Sequence, residues 1–328
     1  MIKKSGSRNC FPHPALASVT PYPSVLDGGS QEGTSTMPLQ TQEPTFVLGA
    51  GAQKAGTTWL HAYLSHFDDV DFGPIKEYHV WDGLSVPEFI EFDARSVAIG
   101  PRRRLRHLWR GLKRLSQEDI FLRRRLQSHP DRYFDFFAGL LAQDGIRLTG
   151  DITPAYCALP VDTLRLIRDG FARRGIRTRA VFLMRDPVER CLSALRMYKR
   201  GGRSRQGADI SLPDNEMLLR YMETDQAQLR TNYPATLERL EAVFDAESLL
   251  VGFYESMFEP DFFADLNRFF GCKPNPDFIA RRFNTTERME ISDSLREQAA
   301  ERLRPIYVSC AERFPEARRL WAQSFAKL

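Results

Sequence analysis

Lys54, Glu77, His79, Arg185 and Ser193 are the residues whose types and spacing point to chemistry on an anion. Lys54 stands inside GAGAQKAGTT (49–58), where Gly49, Gly51 and Gly56 let the backbone approach a charged group closely. The nucleotide-triphosphatase loop reads G-x-x-x-x-G-K-[ST]. Gly51, Gly56 and Thr58 keep that spacing, but position 57 is Thr and the lysine comes earlier, within the loop. The N–H groups of Gly56, Thr57, Thr58 and Trp59 fall at a predicted helix start, where the macrodipole places about half a positive charge. Thr57 and Thr58 add hydroxyl donors. In FLMRDPVERCLS (182–193), Arg185 ends an apolar run and Ser193 follows two helical turns on. An arginine with a hydroxyl grips a second phosphate-like group. The competing role for Arg185 is a surface pair with Asp186 or Glu189. In IKEYHVWD (75–82), Glu77 and His79 share one side of an extended chain. Either can serve as a general base, and a glutamate is ionised at neutral pH. The pattern K-E-x-H (76–79) also suits an ordinary surface strand.

These groups need a scaffold to bring them together. Short apolar runs predict strands at 45–50, 146–150, 178–184 and 248–253. Helical periodicity fills the intervals at 57–67, 161–173, 187–199, 235–244 and 257–270. Alternation of this kind predicts an α/β fold, a P-loop-type sandwich with a central parallel β-sheet flanked by helices. Ligands bind at the carboxyl ends of such strands, where Lys54 and Arg185 fall. Asp186-Pro187 marks a helix start, with Asp at the cap and Pro in the first turn. Ser294 and Glu297 have the spacing of a capping box, and Pro305 is expected to split the helix that follows. The run KRGGRSRQGAD (199–209) reads as a loop, either a lid beside the substrate or a linker.

Residues 1–43 are rich in Pro, Ser, Gly and Thr without a period and read as a disordered tail ahead of a domain at 44–328. The tail lacks the apolar centre of a secretory signal. No run approaches the about 20 apolar residues of a membrane span. The five cysteines are scattered and odd in number, without the spacing of a zinc site or a disulfide framework. Together these features predict a cytoplasmic protein. The net charge is only +4, yet 101–125 carries ten Arg and Lys against Glu118 and Asp119. That basic segment lies in a predicted helical insertion at about 83–147. It reads as a solvated face with Leu105, Leu108, Trp109, Leu112 and Leu115 turned inward, or as a patch for an anionic partner. No nucleic-acid-binding motif accompanies it, so no nucleic-acid partner is expected.

Four stretches in order, QKAGTTWL, KEYHVWD, GDITPAY (150–156) and FLMRDPVERCLSALRMY, resemble the PAPS-dependent sulfotransferases. The resemblance is strongest to bacterial members and to the carbohydrate-acting, heparan-sulfate-type branch, and it runs from residue 45 to near residue 270. It implies that the co-substrate is 3′-phosphoadenosine 5′-phosphosulfate (PAPS), with the bisphosphate PAP as product and no metal required. Lys54 would then lie against the oxygen bridging phosphate and sulfate and stabilise the leaving group. Lys54, Ala55, Gly56, Thr57, Thr58 and Trp59 would hold the 5′-phosphosulfate, and Arg185 and Ser193 the 3′-phosphate. Glu77 matches the family's base, and Tyr254 in LLVGFYES matches a tyrosine beside the adenosine. After the acid of GDITPAY the glycosaminoglycan enzymes carry a lysine, whereas this chain has Ile152. The departure weighs against a heparan-like acceptor. Asp151 either lines the acceptor cleft or caps the turn at Thr153 and Pro154.

The acceptor implied is a hydroxyl on a carbohydrate or small molecule. Two other readings stand beside this one. A P-loop kinase or ATPase would use Asp186 at the end of its apolar strand, but it lacks a lysine after Gly56. An inactive relative would keep the basic segment for polyanion binding and transfer nothing.

Overall fold

The computed structural model describes residues 43–96, 116–202, 204–279, 281 and 289–328. The tail expected at 1–43, except its last residue, and the leucine face expected at 105–115 lie outside the described residues. Four strands, β1 (Thr45–Gly49), β2 (Leu148–Ile152), β3 (Arg177–Met184) and β4 (Leu249–Phe253), form one sheet in the order β2-β1-β3-β4. Every pair is parallel; Gly49 lies opposite Ile152 on one side and Val181 on the other, and Met184 lies opposite Phe253. The expected α/β sandwich with a central parallel sheet is what the chain forms. β1 and β2 are buried along their whole length, as strands covered on both faces must be.

Helices fill the connections: α1 (Thr57–Leu64), α2 (Gln117–Gln127), α3 (Pro130–Leu141), α4 (Val161–Ala172) and α5 (Pro187–Arg200). Beyond these come α6 (Asp214–Met222), α7 (Asp225–Thr231), α8 (Tyr233–Glu241), α9 (Pro260–Phe270), α10 (Asp293–Arg302) and α11 (Arg304–Arg313). Phe46 of β1 anchors the layer beneath α3 and α4. Its ring stacks on Phe171 at 3.9 Å between centroids and meets the edge of Phe137 at 5.0 Å. The side chain is fully buried, so Phe46→Ala leaves a cavity that its aromatic neighbours cannot close. It is expected to cost about 3–5 kcal/mol, read as a lower urea midpoint at unchanged slope. A loss below about 1 kcal/mol would mean the layer repacks freely.

Several local expectations change, among them the helices expected at 257–270 and 235–244, which run Pro260–Phe270 and Tyr233–Glu241. The second strand begins at Leu148, two residues late, and runs on through Gly150, Asp151 and Ile152 because all three lie inside the sheet. α1 ends at Leu64, where Ser65 closes the last turn through its N–H to the His61 carbonyl. The cap of α10 is Ser292, whose hydroxyl accepts from the Leu295 N–H at 3.2 Å, so Ser294 lies inside the helix and forms no capping box. Pro305 does split the C-terminal helical run, standing in the first turn of α11 after Leu303 leaves helical geometry.

Candidate active site

The strand order makes β1 and β3 neighbours whose connections depart in different directions. In sheets of this order the crevice at their carboxyl ends is the ligand site. Beyond β1, pairing continues briefly: the Ala50 N–H donates to the Val181 carbonyl, and Ala52 donates to Leu183 at 2.7 Å. The chain then turns through 53–56 into α1. Gly51 and Gly56 take φ +104° and +94°. A Cβ on Gly56 would be strained at this positive φ and would push Met257 Sδ, 2.5 Å away, aside. Glycine at the cap offers α1 no side-chain acceptor, and no acid stands in the first turn. The opening N–H groups of α1 are therefore free for an anion.

Lys54 adopts φ +72°, a left-handed conformation that a residue with a Cβ rarely takes. Its ammonium is crowded by like charge. Burial lowers its pKa, and Arg200, Arg185 and Arg196 push the same way, bringing it to about 8. Glu77 acts in the opposite sense, which puts that carboxylate within electrostatic reach of Lys54. Arg185 follows the last residue of β3, and Nη1 donates to the Lys54 carbonyl at 3.1 Å. Its guanidinium lies 4.4 Å from the centroid of the Tyr254 ring, just beyond β4. Arg185 does pair with Glu189 at 3.9 Å, but with its side chain only 14% exposed the pair is not on the surface and Arg185 also faces Lys54 and Tyr254. Asp186 caps α5 as expected, accepting from Val188 and Glu189 N–H groups at 2.9 and 3.0 Å.

Arg185 thus touches both the Lys54 backbone and the Tyr254 ring. Ser193 sits two turns along α5 at 8% exposure, followed on that helix by Arg196 and Arg200. Thr57 is buried and Thr58 half-buried at the start of α1. Ala55 and Trp59 have their side chains in the core. The Ala55 N–H is spent on the Ala52 carbonyl at 3.2 Å, while the Trp59 indole stacks on Tyr63 at 5.1 Å. Only the Trp59 backbone can face a ligand.

Glu77 and His79 do meet. His79 Nε2 is 3.5 Å from Glu77 Oε2, and Lys76 Nζ donates to Glu77 Oε1 at 2.6 Å. Chain extension is not what aligns them, because His79 has φ +52°. Its ring stacks flat on Phe92 at 3.8 Å, and Nδ1 donates to Asp82 at 2.6 Å. Asp82 was not legible as a functional residue, although its place three residues after His79, in the turn Trp81–Ser85, is a usable signal. Burial lowers the His79 pKa, but Asp82 and Glu77 outweigh it and the net shift is upward. Burial likewise pushes Glu77 up, and the hydrogen bond from His79 and the charge of Lys76 outweigh it. That carboxyl is held well below the usual carboxylate range.

Asp151 does not line a cleft. It is fully buried and accepts from Thr153 and Tyr156 hydroxyls at 2.6 Å each and from Tyr133 at 3.2 Å. Burial raises its carboxyl to about 6. Ile152 is equally buried, and a Cβ on Gly49 would come 2.6 Å from its side chain, so this position belongs to the β1–β2 contact.

Comparison with solved structures bears on this geometry. A sulfotransferase from Alicyclobacillus acidocaldarius superimposes with a TM-score of 0.51 at 20% identity, covering 83% of this chain and 96% of its own. The two chains share a fold. The sulfotransferase domain from the curacin biosynthetic pathway matches at 0.41 and 16% identity over 74% of this chain and 78% of its own. Sulfotransferase STF9 from Mycobacterium avium matches at 0.42 and 15% identity, covering 83% and 76%. No protein-family model matches the sequence, and no curated protein does. Among the described residues, no helix is long and apolar enough to cross a membrane.

Proposed function

We propose that this chain transfers the sulfuryl group of PAPS to an acceptor hydroxyl on a carbohydrate or small metabolite. The observation that carries the reading is the placement of Lys54. It lies inside the loop, its carbonyl held by the Arg185 guanidinium, with Glu77 in electrostatic reach of its ammonium. A lysine there serves a leaving group that departs as phosphate. A γ-phosphoryl held by magnesium wants its lysine after Gly56.

The donor's 5′-phosphosulfate fits the uncapped start of α1, and its 3′-phosphate fits Arg185 and Ser193, with Tyr254 beside the adenosine. The acceptor oxygen attacks sulfur as the bond from sulfur to the bridging oxygen breaks. The acceptor proton passes to Glu77, and Lys54 balances the charge arriving on the departing phosphate. His79 stands between two carboxylates that raise its pKa and favour the protonated ring, so its part is to hold Glu77. No step in this scheme calls for a metal. The buried, unpaired Cys157, Cys191, Cys272 and Cys310 suit a reducing compartment, which supports a cytoplasmic setting.

Thermal unfolding with PAP, and in parallel with ATP and magnesium, tests the reading. PAP at a hundred times its dissociation constant should stabilise by about 2.7 kcal/mol, roughly 5–10 °C in a chain of this size. The shift should vanish in Arg185→Ala. A shift with ATP and magnesium alone would establish a kinase or ATPase site. A PAP shift without transfer of labelled sulfate to any hydroxyl acceptor would leave the binding module.

A further inference from the structure

The segment 76–80 that carries Glu77 and His79 belongs to no helix or strand, so no ladder satisfies its backbone. Buried side chains do so instead. On one side, the Tyr78 N–H donates to Asp151 at 3.4 Å, the His79 N–H to Thr153 Oγ1 at 3.3 Å, and the Val80 N–H to the Tyr156 hydroxyl at 3.1 Å. On the other, two residues of α2 take the carbonyls. Arg123 Nη2 donates to the Glu77 carbonyl at 2.8 Å, and Gln127 Nε2 donates to the His79 carbonyl at 2.7 Å. Gln127 also donates to the Phe92 carbonyl at 2.9 Å and accepts from the Ala94 N–H at 2.7 Å, tying in the residues around the ring on which His79 stacks.

Arg123 and Gln127 stand one turn apart on the same face of α2, with exposures of 8% and 2%. A guanidinium in that position is expensive, and an apolar side chain of similar volume would serve stability at least as well. Its charge lies among Asp82, Asp151 and Glu77. Within the basic run of 101–125, Arg123 is therefore an inward residue and not part of a solvated face.

We propose that Arg123 and Gln127 are positioning residues, through which α2 grips the Glu77 and His79 carbonyls and aims the Glu77 carboxylate across the site towards Lys54. The catalytic half of this inference rests on Glu77 acting as base. The fastening of the segment does not.

NMR titration of the His79 imidazole in the full chain tests it, with the signal assigned by its loss in His79→Asn. In the native protein, contact with Asp82 and Glu77 holds the pKa of the ring above its ordinary value. In Arg123→Met and Gln127→Met, release of the segment should let the His79 pKa fall towards about 6.5. PAPS turnover should drop about 10²-fold, the penalty of a misplaced reacting group, with PAP affinity unchanged. A role confined to charge predicts the reverse, since removing a nearby cation from Arg123 raises the His79 pKa. Arg123→Lys, which keeps the cation and one donor, should recover part of the turnover. If Arg123→Met fails to fold, Arg123→Lys and Gln127→Met carry the test. A His79 value that stays put or rises in these variants overturns the proposal, as does loss of PAP binding in step with turnover. Full activity in Glu77→Ala would remove the base reading alone, and the His79 titration would still decide the fastening.

Discussion

Alanine in place of Lys54 is expected to lower sulfuryl transfer about 10²–10³-fold, the loss that follows removal of one preorganised donor from a developing oxyanion. Alanine keeps the Cβ, so the backbone strain at φ +72° is unchanged and the variant isolates the ammonium. Circular dichroism should not move. The pH profile gives the sharper readout. Burial and the neighbouring Arg200, Arg185 and Arg196 bring the Lys54 pKa from 10.5 to about 8. Lys54 must be protonated to serve the leaving group, so kcat/KM for PAPS should fall as pH rises through about 8. That limb should be missing in Lys54→Ala. A basic limb that persists unaltered in the variant would take Lys54 out of the mechanism.

The same lowered value acts on folding. Between about 8 and 10.5 the unfolded chain holds a proton that the folded chain has released, so stability rises with pH across that window. Below about 8 the folded protein carries the strain of a buried ammonium among arginines. Lys54→Ala removes the slope and should be at least as stable as the parent near neutral pH without ligand. Phosphate groups bound there would cancel the repulsion that lowers the lysine.

The parts of this arrangement that were legible in the sequence are those fixed by local pattern. β3 and α5 emerge within a residue of their expected bounds, because an apolar strand running into Asp-Pro leaves little choice of boundary. The loop declared itself through glycine spacing, and Lys54 through standing in the wrong place for a triphosphatase. The misreadings share another cause. Asp151 stayed open between cleft and turn because, although its Thr153 contact is local, its partners Tyr133 and Tyr156 say nothing in sequence about converging on it. Arg123 was lost in a basic run, since charge pattern does not reveal which arginine turns inward. Its partner, the Glu77 carbonyl, is 46 residues away. Gln127 carried no signal at all. Burial of polar groups is decided by distant partners, and a single sequence does not display those pairings.

Glutamine in place of Glu77 should lower turnover about 10²–10⁴-fold, the range for loss of a general base, while PAP binds as before. Glutamine keeps the shape and one acceptor oxygen for Lys76 or His79, so what it removes is the capacity to take a proton. His79→Asn should cost less, because Glu77 and Asp82 on either side raise the pKa of the ring and favour its protonated form, which is a poor base. The acid side of the pH profile separates the two assignments. Glu77 is held well below the usual carboxylate range by His79 and Lys76 against the opposing effect of burial. With Glu77 as base, kcat/KM should therefore hold level as pH falls past about 6.5, the ordinary value of a histidine. With His79 as base, the profile would bend at or above that value and the bend would disappear in His79→Asn. A flat acid side, together with a larger loss in Glu77→Gln than in His79→Asn, assigns the proton to Glu77. His79 and Asp82 then hold the carboxylate facing the acceptor.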